Sequence, residues 1–198
     1  MNRSFQEILE SLKKWENAER KVLTNGTELL CHVPHVAPEA WLHIIYSGLS
    51  SDQINEFEQN FPIIFPKEYK EFLLEANGIN IFSDSLSIWG LRESYQRTGE
   101  GAIQPYDLLS LNDERPKGCP NTWLFFGSYS WDGTRVMFDL GEGSEHNKVY
   151  RCARRSTQII QEWSSFKEWL DSEIKRLLQL FDAKGVKYDK KSSTAPTA

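Results

Sequence analysis

The hydrophobic positions repeat with helical spacing at both ends of the chain. Two capping boxes, Ser4 with Glu7 and Ser165 with Glu168, stand at the start of these runs. The pattern predicts an amphipathic helix at each end, the second lying on a sheet and ending by Gly185. The apolar positions are Phe5, Ile8, Leu9, Leu12 and Trp15 in the first run, and Phe166, Trp169, Leu170, Ile174, Leu177, Leu178 and Phe181 in the second.

Two shorter helices are predicted between residues 51 and 78. The first places Ile54, Phe57 and Phe61 on one face and stops at Pro62. The second has Pro66 at its first helical position. Its apolar face is formed by Tyr69, Phe72, Leu73 and Ala76, and it is expected to end at Asn77 and Gly78.

Runs in which apolar and polar residues alternate, together with short apolar runs, predict the strands. "ELLCHVP" and "AWLHIIY" fit either strands or buried helical turns, whereas "LSIWGL" is typical of a strand. Residues 99–121 form a connection rich in Gly, Pro, Asn and Asp, which we expect at the surface. "WLFFGSYS", "TRVMFDL" and "NKVYRCA" then predict a three-stranded meander.

Asp132 and Gly133 are expected to form the two central positions of a type I′ turn, because both tolerate positive φ. That register pairs Trp131 with Thr134 and continues along an apolar face. It leaves a mixed outer face, made of Ser130, Arg135, Ser128, Met137, Phe126 and Asp139, that can meet water or a partner. We interpret Asp132 as a turn residue rather than a catalytic acid.

Composition indicates one domain in a reducing compartment. The chain has 198 residues, 39% of them hydrophobic, with no apolar run of membrane-spanning length and no signal-like N-terminus, so we expect a soluble, cytoplasmic protein. Cys31, Cys119 and Cys152 form no CxxC pair. The net charge is −5, and twelve acidic against five basic residues lie between positions 50 and 116. This stretch disfavours nucleic-acid binding and fits a basic partner or a solvated surface.

Two segments carry residues that can ligate metals. Cys31, His32 and His35 match no common zinc spacing, so packing is the preferred interpretation. The turn with Asp139, Glu142, Glu145 and His146 lacks the alternating oxygen ligands of a calcium loop. Cys119 and Cys152 have no His nearby in sequence. We therefore predict no catalytic site, no metal and no cofactor.

Residues 49–181 resemble the SUKH superfamily. The resemblance rests on "LSSDQINEFEQNFPIIFPKEYKEFLLEANGI", with Glu58 before a Pro-Xaa-Xaa-Tyr helix that ends in Asn-Gly, on "FFGSYSWDGTRVMFDL" and on "WSSFKEWLDSEI". At the position before Pro66, where the family usually has Leu, this chain has Phe65. The resemblance implies an α+β fold, with helices packed on one mainly antiparallel sheet. We expect an N-terminal extension over 1–48, the SUKH-like domain over 49–183 and a disordered tail over 184–198.

The resemblance implies a binding protein without catalysis. Bacterial members are regarded as immunity proteins, so we expect neutralisation of a cognate toxin, such as a basic nuclease-like protein, by direct binding. A cell-wall assembly regulator or scaffold, as in fungal relatives, and a small hydrolase using Asp132, Asp139 or Cys119 are the alternatives. We expect no nucleic-acid or membrane partner and a monomer or weak dimer. Candidate contact residues are Glu93, Glu100, Asp107, Asp113, Glu114, Trp131, Arg135 and Asp139.

Overall fold

The structure is a computed structural model that describes residues 3–59, 64–92, 94–142 and 147–197. It forms one antiparallel sheet in which each strand pairs with the next along the chain, and helices pack against it. This confirms the predicted α+β class. The strands are β1 (Arg20–Val22), β2 (Glu28–His32), β3 (Trp41–Ser47), β4 (Ala76–Ile81), β5 (Leu86–Ile88), β6 (Trp123–Tyr129), β7 (Arg135–Asp139), β8 (Val149–Cys152) and β9 (Ile159–Trp163). The helices are α1 (Phe5–Glu10), α2 (Ser51–Gln59), α3 (Lys67–Glu75), α4 (Leu108–Asp113) and α5 (Phe166–Leu178).

The first 48 residues build part of the same sheet. Ser4 caps α1 through the predicted capping box, and a 3₁₀ segment over Ser11–Ala18 continues the helix. The two apolar runs that fit either strands or helical turns form β2 and β3. Strand β3 pairs with β4, which lies in the segment 49–181 that resembles the SUKH superfamily. The predicted N-terminal extension therefore shares one sheet with the rest. Where a domain boundary falls stays a prediction.

Aromatic rings join α1, α3 and α5 to the sheet. Phe166 lies 5.3 Å from Phe72 and 5.2 Å from Phe126, measured between ring centroids. Tyr69 is fully buried beside them and donates its hydroxyl to the carbonyl of Trp89 at 2.8 Å. Because each buried ring removes a large apolar area from water, this cluster contributes substantially to the stability of the fold.

The helix α3 ends earlier than predicted. It stops at Glu75, and Asn77 and Gly78 lie in β4. The amide of Asn77 accepts a hydrogen bond from Leu91 N and donates one to Leu91 O, both at 2.7 Å, so it joins two segments rather than ending a helix. Gly78 has φ of +89°, and a Cβ there would lie 2.6 Å from the carbonyl oxygen of Ile88. Close backbone approach therefore requires glycine here.

The connection over 99–121 is more ordered than predicted, because it contains α4. Asp107 caps this helix through Leu109 N and Ser110 N. Asn112, 2% exposed, accepts from Phe125 N at 3.0 Å and donates to Phe125 O at 2.7 Å. Its amide thus replaces a neighbouring strand where β5 no longer accompanies β6.

The C-terminal segment packs on the domain instead of standing free. The sequence predicts a disordered tail over 184–198, whereas Thr194 and Ala195 are buried. Arg151 donates to Pro196 O and Arg176 donates to Thr194 O, each at 2.7 Å. A polar sequence is held here by guanidinium groups of distant elements. Within the described residues, no helix has the length and apolar character needed to cross a membrane.

Candidate protein-binding surface

The turn between β6 and β7 has four residues, not two. Tyr129 N donates to Thr134 O and Gly133 N donates to Tyr129 O, both at 3.0 Å, and Gly133 has φ of +69°. The type I′ turn and its register are therefore wrong: Ser128 pairs with Arg135, and a bulge between Phe125 and Gly127 shifts the pairing further. Within this longer turn, the Asp132 side chain accepts a hydrogen bond from Thr134 N, two residues further on.

Asp132 is indeed a turn residue, and it also neutralises a buried cation. Its carboxylate accepts from Thr134 N at 3.0 Å and from Thr134 Oγ1 at 2.7 Å. It also pairs with Arg151 Nη2 at 2.5 Å, and the Arg151 side chain is only 3% exposed. Burial raises the pKa of Asp132, but the hydrogen bonds from Thr134 and the charge of Arg151 outweigh burial, so the pKa is lowered.

Trp131 stands at the tip of this fixed turn with 49% of its surface exposed. The Lys187 ammonium lies 4.5 Å from the ring centroid, a cation–π contact. Both residues line a cavity of about 320 Å³, together with Val36, which is also exposed. A large exposed ring on a rigid turn is typical of residues that anchor a protein partner.

The predicted outer face of the hairpin is mostly covered. Phe126 and Met137 are fully buried. Arg135 donates to Leu111 O and Glu114 O, both at 3.2 Å, and its guanidinium lies 5.5 Å from the Trp89 ring. Burial lowers the pKa of Arg135, and the Glu114 carboxylate opposes this effect. The sequence pattern does not indicate that α4 lies against this face of the hairpin, because α4 is in a segment with turn-like composition.

The structure gives several acidic candidates a hydrogen-bonding role within the chain. Asp107 is 8% exposed and accepts from Tyr95 Oη at 2.8 Å. Glu100 accepts from Thr24 N and Oγ1, both at 2.9 Å, and hydrogen bonding from Thr24 lowers its pKa. Asp139 accepts from the amide of Gly141 at 3.0 Å.

Asp113 and Glu114 remain exposed where α4 ends. Glu93 lies outside the described residues, so its surroundings are not part of the structure. The described acidic candidates thus lie on separate segments, and among them Asp113 and Glu114 at the end of α4 are the exposed pair.

The thiols and imidazoles are held in packing roles. Burial raises the pKa of Cys119, and it raises that of Cys152 to about 12, which lowers the thiolate fraction at neutral pH. Cys31 is buried, and His32 Nε2 lies 2.8 Å from Pro38 O. Across residues 3–59, 64–92, 94–142 and 147–197, no three His, Cys, Asp or Glu side chains cluster as metal ligands would. Two members of the turn considered for calcium, Glu145 and His146, fall outside these ranges.

The sequence reasoning missed a basic cluster. Arg154 and Arg155 lie in the turn between β8 and β9, and Arg115 and Lys117 follow α4. All four line one cavity with Arg135. The adjacent arginines are the available signal in the sequence. Their proximity to Lys117 depends on the fold, which brings distant segments together.

Fold and surface define a single-domain α+β protein that presents hairpin turns and cavities around one antiparallel sheet. Residues 48–172 match the model of the SMI1 / KNR4 family (SUKH-1). The chain therefore belongs to the SMI1/KNR4 family, which confirms the resemblance. It is also similar to "Uncharacterized protein YnaB" of Bacillus subtilis strain 168, with 29% identity over 126 residues that cover 62% of this chain and 74% of that protein.

Proposed function

We propose that this protein is a non-catalytic immunity protein that neutralises a cognate toxin, a nuclease or another nucleic-acid-targeting domain, by direct binding. Family membership supports the proposal, because SUKH proteins include immunity proteins and regulators that act through protein partners. The observation that carries it is Trp131, an exposed ring on a turn that Asp132 and Arg151 hold in place.

A fixed turn favours binding for an energetic reason. Association costs conformational entropy when loops and side chains must become ordered, and a turn already tied to a buried cation avoids part of that cost. Asp113 and Glu114 add exposed negative charge, which attracts a basic toxin and speeds encounter. The chemistry at Asp132 and at the thiols supports binding over hydrolysis, because the carboxylate is ion-paired and burial raises the thiol pKa values.

The test is co-expression with the product of the neighbouring gene, followed by measurement of growth and of complex formation at low and high salt. We expect restored growth and a salt-sensitive complex. If no neighbouring toxin is neutralised and pull-downs return host assembly factors, the regulator alternative replaces this proposal.

Trp131→Ala should weaken the complex by more than about 1 kcal/mol, because an anchoring ring loses its buried contact area. Tyr106→Ala is the matched control, since Tyr106 has a similar exposure of 46% and lies outside the hairpin. Equal affinity for the Trp131 variant and wild type would contradict a role of the hairpin tip in the complex.

A further inference from the structure

A second cavity, of about 490 Å³, opens between three chain segments that are far apart in sequence. The segment after α4, the start of β7 and the turn between β8 and β9 form its walls, with buried Phe125 and Cys152 at its apolar side. Its charged residues are Arg115, Lys117, Arg135, Arg154, Arg155 and Glu114. Five cations therefore face one carboxylate, in a chain whose net charge is −5.

The positive charge of this cavity is compensated only in part, by the carboxylate of Glu114. Lys117, Arg154 and Arg155 make no hydrogen bond or ion pair with any other residue in the described part of the chain. Arg115 donates to Asn112 O at 2.8 Å, and Arg135 donates only to backbone carbonyls. A carbonyl orients a guanidinium without cancelling its charge, so a ligand entering the cavity meets an excess of positive charge that Glu114 offsets only in part.

The cavity is built on fixed elements. Gly133 forms part of the wall, and a Cβ at that position would lie 3.1 Å from Cδ of Arg154. The same hairpin is held by the pair of Asp132 and Arg151. Arg155 has φ of +53°, a left-handed conformation that is costly for a residue with a side chain, and it still stands in this turn where glycine or asparagine would fit more easily.

The chemistry selects a ligand with several separate negative groups. Guanidinium groups pair with carboxylates through two parallel hydrogen bonds, and here the cations are spread over three walls rather than focused on one point. Phe125, the aromatic residue among the described lining residues, is fully buried, so it offers no face on which a nucleic-acid base can stack. These features favour a protein segment rich in Asp and Glu over a nucleic acid.

We propose that this cavity receives an acidic segment of a protein partner, whose carboxylates pair with Lys117, Arg154 and Arg155. The inference deepens the proposed function, because it states the chemistry that the toxin would present beside its basic surface. Asp113 and Glu114 at the end of α4 adjoin the basic residues in sequence, so the interface has both signs and selects a partner of complementary pattern.

The experiment measures fluorescence anisotropy of a labelled eight-residue peptide of alternating Glu and Gly with the full chain. We expect binding that weakens as salt rises, and a loss of at least about tenfold in affinity for Arg154→Ala/Arg155→Ala. Lys190→Ala/Lys191→Ala is the control, because it removes the same charge from two exposed positions of the C-terminal segment. Unchanged circular dichroism and urea unfolding show that both variants fold.

Three results overturn the inference: no binding of the peptide, equal weakening by both double variants, or displacement of the peptide by inorganic phosphate or single-stranded DNA at concentrations where free glutamate has no effect. The toxin assay separates this inference from the proposed function. A peptide that binds through Arg154 and Arg155 while no toxin is neutralised contradicts the proposed function alone. A neutralised toxin without peptide binding contradicts the inference alone.

Discussion

Replacing Asp132 tests whether its carboxylate holds the hairpin by charge as well as by turn geometry. Asp132→Asn keeps an acceptor for Thr134 but removes the negative charge beside Arg151, whereas Asp132→Ala removes both. Breaking a buried ion pair costs about 3–5 kcal/mol. Asp132 is 32% exposed and Arg151 keeps Thr134 and Pro196 as acceptors, so the expected cost lies below this range.

We therefore expect the free energy of unfolding to fall by about 2 kcal/mol for Asp132→Asn. For Asp132→Ala we expect about 4 kcal/mol, because two hydrogen bonds of about 1 kcal/mol each are also lost. Urea unfolding followed by tryptophan fluorescence measures both values. Asp189→Asn is the control: its carboxylate accepts from Lys191 N in an exposed turn, without a buried cation, so its change should stay small. A loss below about 0.5 kcal/mol for Asp132→Asn, which is the size of an ordinary surface substitution, would refute the role of charge.

The ion pair of Asp132 and Arg151 also predicts how the stability of the protein depends on pH. The pKa of Asp132 is lower in the folded state than in the unfolded state, so its contribution is complete above the unfolded value, about 4, and disappears as the pH falls through the folded value. The stability difference between wild type and Asp132→Asn should therefore narrow below about pH 4. A difference that stays constant down to acid unfolding would contradict this linkage.

Three further changes have direct readouts. Asn112→Ala should lower the free energy of unfolding by about 2–4 kcal/mol, because it leaves both backbone groups of Phe125 buried and unpaired; a urea midpoint equal to wild type would contradict this. Native alkylation at pH 8, mapped by mass spectrometry, should modify partly exposed Cys119 well before buried Cys152, whose pKa is raised to about 12; the reverse order would contradict it. Burial, aided by the charge of Lys14, lowers the pKa of His43 to about 3. The free energy of unfolding should therefore fall as the pH drops below about 6.5, because the unfolded state binds a proton that the folded state does not. In His43→Asn, the free energy of unfolding should depend less on pH in this range.

Local patterns predicted α1, α2, α3 and α5, because the signals of these helices lie within a few residues, whereas α4 was not predicted. Phe5, Ile8 and Leu9 are buried on α1 as their spacing requires, and Ser165 caps α5. The end of α3 was wrong because Asn-Gly is a common helix terminator, yet here Asn77 binds the backbone of Leu91 across the sheet. Leu91 lies fourteen residues from Asn77, so the residues next to Asn77 in the sequence do not indicate this contact.

The errors in the hairpin have the same origin. Alternation along Phe125, Gly127 and Tyr129 assumes a strand of strict period two, and the bulge after Phe125 breaks that period. β9 was not predicted either, because its exposed and half-buried side chains show no apolar alternation. Its pairing with β8 is long-range information that composition does not contain.

The binding surface depends on how charges are partnered, which sequence composition does not reveal. Arg151 and Arg154 are three residues apart, but Asp132 neutralises the first in the interior and leaves the second free beside Gly133. If Asp132 instead faced outward, Arg151 would stay buried and unpaired, which is unfavourable by about 3–5 kcal/mol. The buried cation therefore keeps the only carboxylate of the turn away from Arg154 and Arg155. Burial of Arg151 thus accounts both for the fixed turn that carries Trp131 and for the excess of positive charge around Arg154 and Arg155.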